Sequence, residues 1–156
     1  MNTMTQLSKI MTTDLLTVTA DTKLSKIKEI FDNKRIHHIP VVKYQMLIGI
    51  ISKTDMLHYI KGVVGQRQDD VELNRDLLEN YTAKDIMTTG VAKLESKDRI
   101  ATAIMVFQEN IFHAIPIVDN NLLVGIVTTY DIINFAAKCK CKAQDKIEKM
   151  EKAVSA

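Results

Sequence analysis

Apolar residues in this chain follow two rhythms, and the same series of rhythms runs through it twice. In the first copy a short apolar piece over residues 15–19 precedes Leu24, Ile27, Ile30 and Phe31, whose spacing predicts a helix. Two apolar runs follow, His38-Ile39-Pro40-Val41-Val42 and Leu47-Ile48-Gly49-Ile50-Ile51, and such runs predict strands covered on both faces. A second helix is predicted to begin near Thr54-Asp55. In the second copy the extended piece covers residues 91–95, and the helical stripe is Ile100, Ala103, Ile104 and Phe107. The strands are Ala114-Ile115-Pro116-Ile117-Val118 and Leu123-Val124-Gly125-Ile126-Val127, and the last helix begins near Tyr130-Asp131. Each copy reads β-α-β-β-α, with its polar turn clearest at Asp119-Asn120-Asn121. Asp21-Thr22 and Lys97-Asp98 stand where the first helix of each copy opens, and they are expected to cap its free amides.

The two copies lie in fixed register. Ile10-Met11-Thr12-Thr13 recurs as Ile86-Met87-Thr88-Thr89, and the same offset of 76 carries Phe31 onto Phe107, His37 onto His113, Ile39-Pro40 onto Ile115-Pro116 and Asp55 onto Asp131. Between residues 10–60 and 86–136 there are 13 identities and no gap, and most remaining apolar positions exchange one aliphatic residue for another. Repetition of this kind means one supersecondary unit used twice. The copies are placed at 8–60 and 83–137. Residues 61–82, with Gly62, Gly65, Val71, Leu73, Leu77 and Leu78, are expected to form a connecting helix or arm. Residues 138–156 are Lys-rich, and Ala143, Ile147, Met150 and Val154 form a thin helical stripe suited to packing on a partner.

Composition narrows the function. The 156 residues carry 21 basic and 19 acidic side chains, a net charge of +2, which argues against a nucleic-acid-binding face. The two cysteines, Cys139 and Cys141, are too few and too close for a disulfide framework, and no neighbouring ligands complete a metal set, so free thiols in a reducing cytosol are expected. Met1 to Lys9 lacks the apolar core of a leader, and no run approaches the roughly 18 apolar residues of a membrane span. A cytoplasmic protein acting on soluble partners is therefore expected, with neither nucleic acid nor membrane among them.

Catalytic signatures are missing. The histidines His37, His38, His58 and His113 show no metal-binding spacing, and neither a Gly-rich phosphate loop nor a nucleophile elbow occurs. The chain is not read as an enzyme. The repeated polar residues are more informative. Each second strand ends in a hydroxyl followed three residues later by a carboxylate, as Ser52-Lys53-Thr54-Asp55 and Thr128-Thr129-Tyr130-Asp131. Such a pattern can be a helix cap with an acid in the first turn. It can equally be a ligand corner, in which Asp accepts hydrogen bonds from a ribose diol while the hydroxyl and helix amides face a phosphate. On the residues alone both readings stand.

With Ile-Met-Thr at each start, His-x-Ile-Pro-(Val/Ile)-Val in each middle and Gly-Ile-(Ile/Val)-(Ser/Thr)-x-x-Asp at each end, the chain resembles a tandem pair of CBS domains, a Bateman module standing alone. The resemblance covers about residues 8–60 and 83–137. It implies an α/β (α+β) fold, two β-α-β-β-α repeats packed about a pseudo-twofold with a cleft on each side. Many such pairs bind AMP, ADP, ATP, S-adenosylmethionine or sometimes NAD there. By resemblance Asp55 and Asp131 hold ribose, and Ser52 and Thr128 supply the hydroxyls. Ile36, His37 and His38 line adenine in one cleft, and Phe112, His113 and Ala114 in the other. Leu16, Pro40, Ala92 and Pro116 complete the implied ligand set. A ligand on Asp131 would point its phosphate toward His37 and His38, and one on Asp55 toward His113, helped by Lys53.

Two departures from the family pattern bear on affinity. Histidine stands where polyphosphate-binding members often carry Arg, and an imidazole with a reference pKa of about 6.5 is only partly charged at neutral pH. The second copy also has Ala114 and Thr129 where the first has His38 and Lys53. Two sites of unequal quality are expected, with the Asp131 site the better. The function expected is a sensor that needs no cofactor, takes an adenine nucleotide or S-adenosylmethionine as regulatory ligand, and signals by conformational change to an unidentified protein target. The alternative is a ligandless dimerisation or docking module. A homodimer through the CBS helices is expected in either case, because Met56, Leu57, Ile60, Ile132, Ile133 and Phe135 exceed what one buried face requires.

Overall fold

The computed structural model describes residues 2–64, 78–110 and 112–138. Cys139, Cys141, the stripe from Ala143 to Val154, and Val71, Leu73 and Leu77 of the connector lie outside the described residues. The elements are α1 (Leu24–Asn33), β1 (His38–Lys43), β2 (Met46–Ser52), α2 (Lys53–Val64), α3 (Ala83–Ile86), α4 (Ile100–Glu109), β3 (Ala114–Asp119), β4 (Leu122–Thr128) and α5 over residues 129–138. β1 pairs with β2 and β3 with β4.

The chain forms two compact units, and neither is a contiguous stretch. The first is built from Asp14–Ala92 together with Val118–Leu123, and the second from Met1–Thr13, Lys93–Ile117 and Val124 onward. In the first unit the stripe of α1 buries Leu24, Ile27 and Phe31 against Ile39 and Val41 of β1, Ile51 of β2 and Met56 of α2. β1 and β2 are antiparallel, from His38 opposite Ser52 to Lys43 opposite Met46, with a bulge between Val41 and Val42. The extended piece before α1 contributes one parallel bridge, in which Val18 donates to the Pro40 carbonyl and accepts from the Val42 amide. A segment after the first copy then closes the unit. The Tyr81 carbonyl accepts from the Leu24 amide at 3.0 Å, α3 follows, and Thr88 and Ile50 exchange backbone hydrogen bonds of 2.9 and 3.0 Å.

The second unit repeats this plan with the N-terminal segment as its closing arm. The Thr5 carbonyl accepts from the Ile100 amide at 2.9 Å, Leu7–Lys9 makes a single 3-10 turn, and Thr12 exchanges hydrogen bonds with Ile126 at 2.9 and 3.0 Å. Its core is Leu7, Ile100, Ala103, Ile115, Ile117 and Val127. Leu94 stands where Val18 stands in the first unit, bridging Ile117.

Three local expectations are corrected. Asp21-Thr22 and Lys97-Asp98 do not cap the helices. The N-cap residues are Lys23 and Arg99, neither with a side-chain cap, because carbonyls of the closing arms already meet the first amides. The Thr22 hydroxyl instead accepts from the Thr19 amide, and the Asp98 carboxylate from the Glu95 amide, so each closes the turn before its helix. The extended pieces at 15–19 and 91–95 shrink to single bridges at Val18 and Leu94. Of the strands, β3 is covered on both faces from Ala114 to Val118, whereas Met46 and Leu122 at the starts of β2 and β4 are exposed.

Candidate functional site

In each unit the start of the first strand and the start of the last helix come together through the backbone. The Lys53 amide donates to the His37 carbonyl at 2.9 Å, and the Thr129 amide to the His113 carbonyl at 3.1 Å. These bonds gather Ile36, His37, His38, Pro40, Ser52, Lys53 and Asp55 in the first unit. In the second they gather Phe112, His113, Ala114, Pro116, Thr128 and Asp131. The imidazoles of His37 and His113 are exposed, while Pro40, Ala114 and Pro116 are buried in the strands. Leu16 and Ala92 lie two residues before the bridging Val18 and Leu94, both exposed, and both belong to the first unit.

The hydroxyl and carboxylate form a helix corner. Ser52 ends β2 and its hydroxyl accepts from the Asp55 amide at 3.0 Å. Thr128 ends β4 and its hydroxyl accepts from the Asp131 amide at 3.2 Å. The cap reading is therefore realised in both copies. The copies differ in the carboxylate. Asp131 Oδ2 accepts from the Thr128 amide at 2.8 Å and from its hydroxyl at 2.6 Å, making a reciprocal capping box. Asp55 is exposed, and among the described residues nothing donates to its carboxylate. A carboxylate carries about four acceptor sites, so the two hydrogen bonds from Thr128 to Oδ2 leave Asp131 with acceptor capacity to spare.

Lys53 is placed differently from its expected role beside a phosphate. Its ammonium donates to the Phe31 carbonyl at 3.2 Å, at the C-terminal end of α1 where a cation complements the exposed carbonyls. In the second unit the matching job falls to the Asn110 side-chain amide, which donates to the Val106 carbonyl at 2.8 Å. Tyr130, between Thr129 and Asp131, is 68% exposed, a feature the sequence reading left without a role. Its only signal was that it departs from its counterpart Thr54. Among the described residues no group of three or more His, Cys, Asp and Glu side chains is placed to hold a metal ion, and no helix is long and apolar enough to cross a membrane.

Comparison with known proteins gives this arrangement a family. A structure of the CBS-pair protein CBSX2 from Arabidopsis thaliana in complex with AMP is 21% identical, with a TM-score of 0.73, over 86% of this chain and 98% of that one. The CBS domain pair of protein MJ0100, in complex with 5'-methylthioadenosine and S-adenosyl-L-methionine, is 22% identical with a TM-score of 0.67, over 84% of this chain and 98% of that one. Among curated relatives, an inosine-5'-monophosphate dehydrogenase of Thermoplasma acidophilum is 26% identical over 77% of this chain but only 21% of its own length. The chain spans less than half the length of the curated relatives it matches. The family model described as CBS domain matches residues 7–62 and again 83–138. The chain belongs to the CBS domain family, as a tandem pair with an α+β fold.

Proposed function

We propose that the chain is a regulatory module that binds an adenosine-containing ligand at its hydroxyl-x-x-Asp corners and passes the binding event to a partner by conformational change. One observation carries the reading. Half-buried Asp131 is oriented by its own Thr128 through Oδ2, in the unit whose first strand is preceded by exposed His113. A preorganised acceptor suits a ribose diol, because little side-chain freedom is lost on binding. The relatives crystallised with AMP, and with 5'-methylthioadenosine and S-adenosyl-L-methionine, share adenosine as their common chemistry. No chemical step is assigned to the module, and the dehydrogenase activity of the much longer relative is not carried over.

Calorimetric titration with AMP, ATP and S-adenosylmethionine tests this. At least one gives heat, and Asp131→Ala weakens it about tenfold or more, as loss of a charged acceptor predicts. Asp55→Ala weakens it less. Absence of heat with all three ligands sinks the reading.

A second reading, a dimerising or docking module without a ligand, draws on one observation. Leu57 of α2 and Ile133 of α5 occupy corresponding positions and are 45% and 63% exposed, whereas their neighbours Met56 and Ile132 pack inward. Sedimentation of the purified chain, with Leu57→Lys and Ile133→Lys variants, tests the dimer, and a dimer that gives no heat with any of the three ligands favours this reading over the leading one.

A further inference from the structure

The motif Ile-Met-Thr opens both copies, and neither corner uses it. In the structure its methionines have a specific seat. The Met11 sulfur lies 2.8 Å from where a Cβ on Gly125 would stand, and the Met87 sulfur 2.9 Å from the same point on Gly49. Each thioether fills a notch that only glycine leaves open. The residue after each methionine makes the arm's backbone pair with the hairpin, Thr12 with Ile126 and Thr88 with Ile50. Met11 packs on the core of the second unit and Met87 on that of the first, both half-buried. Each arm thus carries one oxidisable atom at its seat on the hairpin.

We propose that Met11 and Met87 are sites of reversible oxidation, and that their sulfoxides release the closing arms. The oxidant is a hydroperoxide. A sulfur lone pair attacks its terminal oxygen, an S–O bond forms as the O–O bond breaks, and water or an alcohol leaves. The sulfur loses two electrons and the peroxide gains them. The product carries a strongly polar oxygen on a formerly apolar atom. Toward the glycine there is no room even for a Cβ, and toward the core the oxygen meets apolar side chains, where a polar group without a partner is costly. The two backbone hydrogen bonds that hold the arm to the hairpin here, those of Thr12 or of Thr88, are the contacts that must absorb the displacement.

The test uses the whole chain, treated with hydrogen peroxide until peptide mass spectrometry finds oxygen on Met11 and Met87, followed by hydrogen exchange. Amide exchange at Thr12 and Thr88 rises about tenfold or more, as expected when a polar oxygen is forced against the apolar seat of a half-buried side chain. A methionine sulfoxide reductase restores protection. The double variant Met11→Leu with Met87→Leu keeps the volume and keeps its protection under peroxide. A variant with leucine at the exposed Met4, Met46 and Met105 still loses protection. Three results overturn the proposal: protection retained with Met11 and Met87 oxidised, protection lost equally in the double variant, or both sulfurs untouched when the exposed methionines are saturated.

Discussion

Two units with the same plan differ where each is anchored and where each presents its carboxylate. The second is closed by an arm that buries Leu7, the first by an arm that buries only Ala83 at the corresponding place. The first compensates with polar chemistry. Thr82 and Asp85 form a capping box at the start of α3, whereas no side chain caps the 3-10 turn of the other arm. At the corners the order reverses, with the reciprocal box at Thr128 and Asp131 in the second unit and only its hydroxyl half at Ser52 and Asp55 in the first. A duplicated unit preserves the positions that must interlock and lets the means of holding them diverge.

The largest test of this contrast is Leu7→Ala. Truncating a side chain of zero exposure at the centre of the second core is expected to cost about 2–5 kcal/mol in chemical denaturation. The loss of exchange protection should appear in α4 and β3. If α1 loses protection instead, the assignment of the arm to the second unit is wrong. Next come the corners. Thr128→Val removes a hydroxyl that both donates and accepts, and should cost about 1 kcal/mol, whereas Ser52→Ala should fall near the low end for caps, about 0.5 kcal/mol. Equal costs would erase the difference between the corners.

The repeat, the helix and strand pair of each copy and both corners were legible in the sequence, because they rest on side-chain identity. The offset of 76 is written in His, Pro, Gly and Asp, and the helical stripes in aliphatic spacing. The arms were not legible. They close through backbone groups, the Thr5 and Tyr81 carbonyls and the Thr12 and Thr88 pairs, which leave little trace in residue type. Leu7 and Ala83 match in place but not in size, so the identities between the copies begin only at Ile10. Thr22 and Asp98 misled for the same reason, since a short polar side chain serves a turn as readily as a cap. The contrast between Asp55 and Asp131 lay below sequence resolution, both being acids three residues after a hydroxyl.

The smallest expected effect is on pH dependence. The Thr82 backbone amide, and then its hydroxyl, holds the Asp85 carboxyl below the ordinary carboxylate range. Lys28 does the same to Asp32 through its side-chain hydrogen bond. A carboxyl lowered in the folded state contributes stability that is complete above its unfolded pKa of about 3.9 and disappears as pH falls through the lower folded value. Both groups sit in the first unit. Asp85→Asn should therefore lower stability near neutrality and match the parent at the acid end of the titration. A constant offset across the whole range would show that the box acts through shape alone.

The interleaving of the arms also sets an order of assembly. Every residue of the first unit except 89–92 and 118–123 has been synthesised once Thr88 is available to pair with Ile50. Thr12, by contrast, must wait for Ile126, almost the whole length of the described chain later. Contacts so distant in sequence are slow to form, because the loop between them must first be closed. On a ribosome the arm with its apolar Leu7 therefore emerges well before the hairpin that seats it, and docks only after Ile126. Early translation is the period in which this chain most needs shielding from its neighbours.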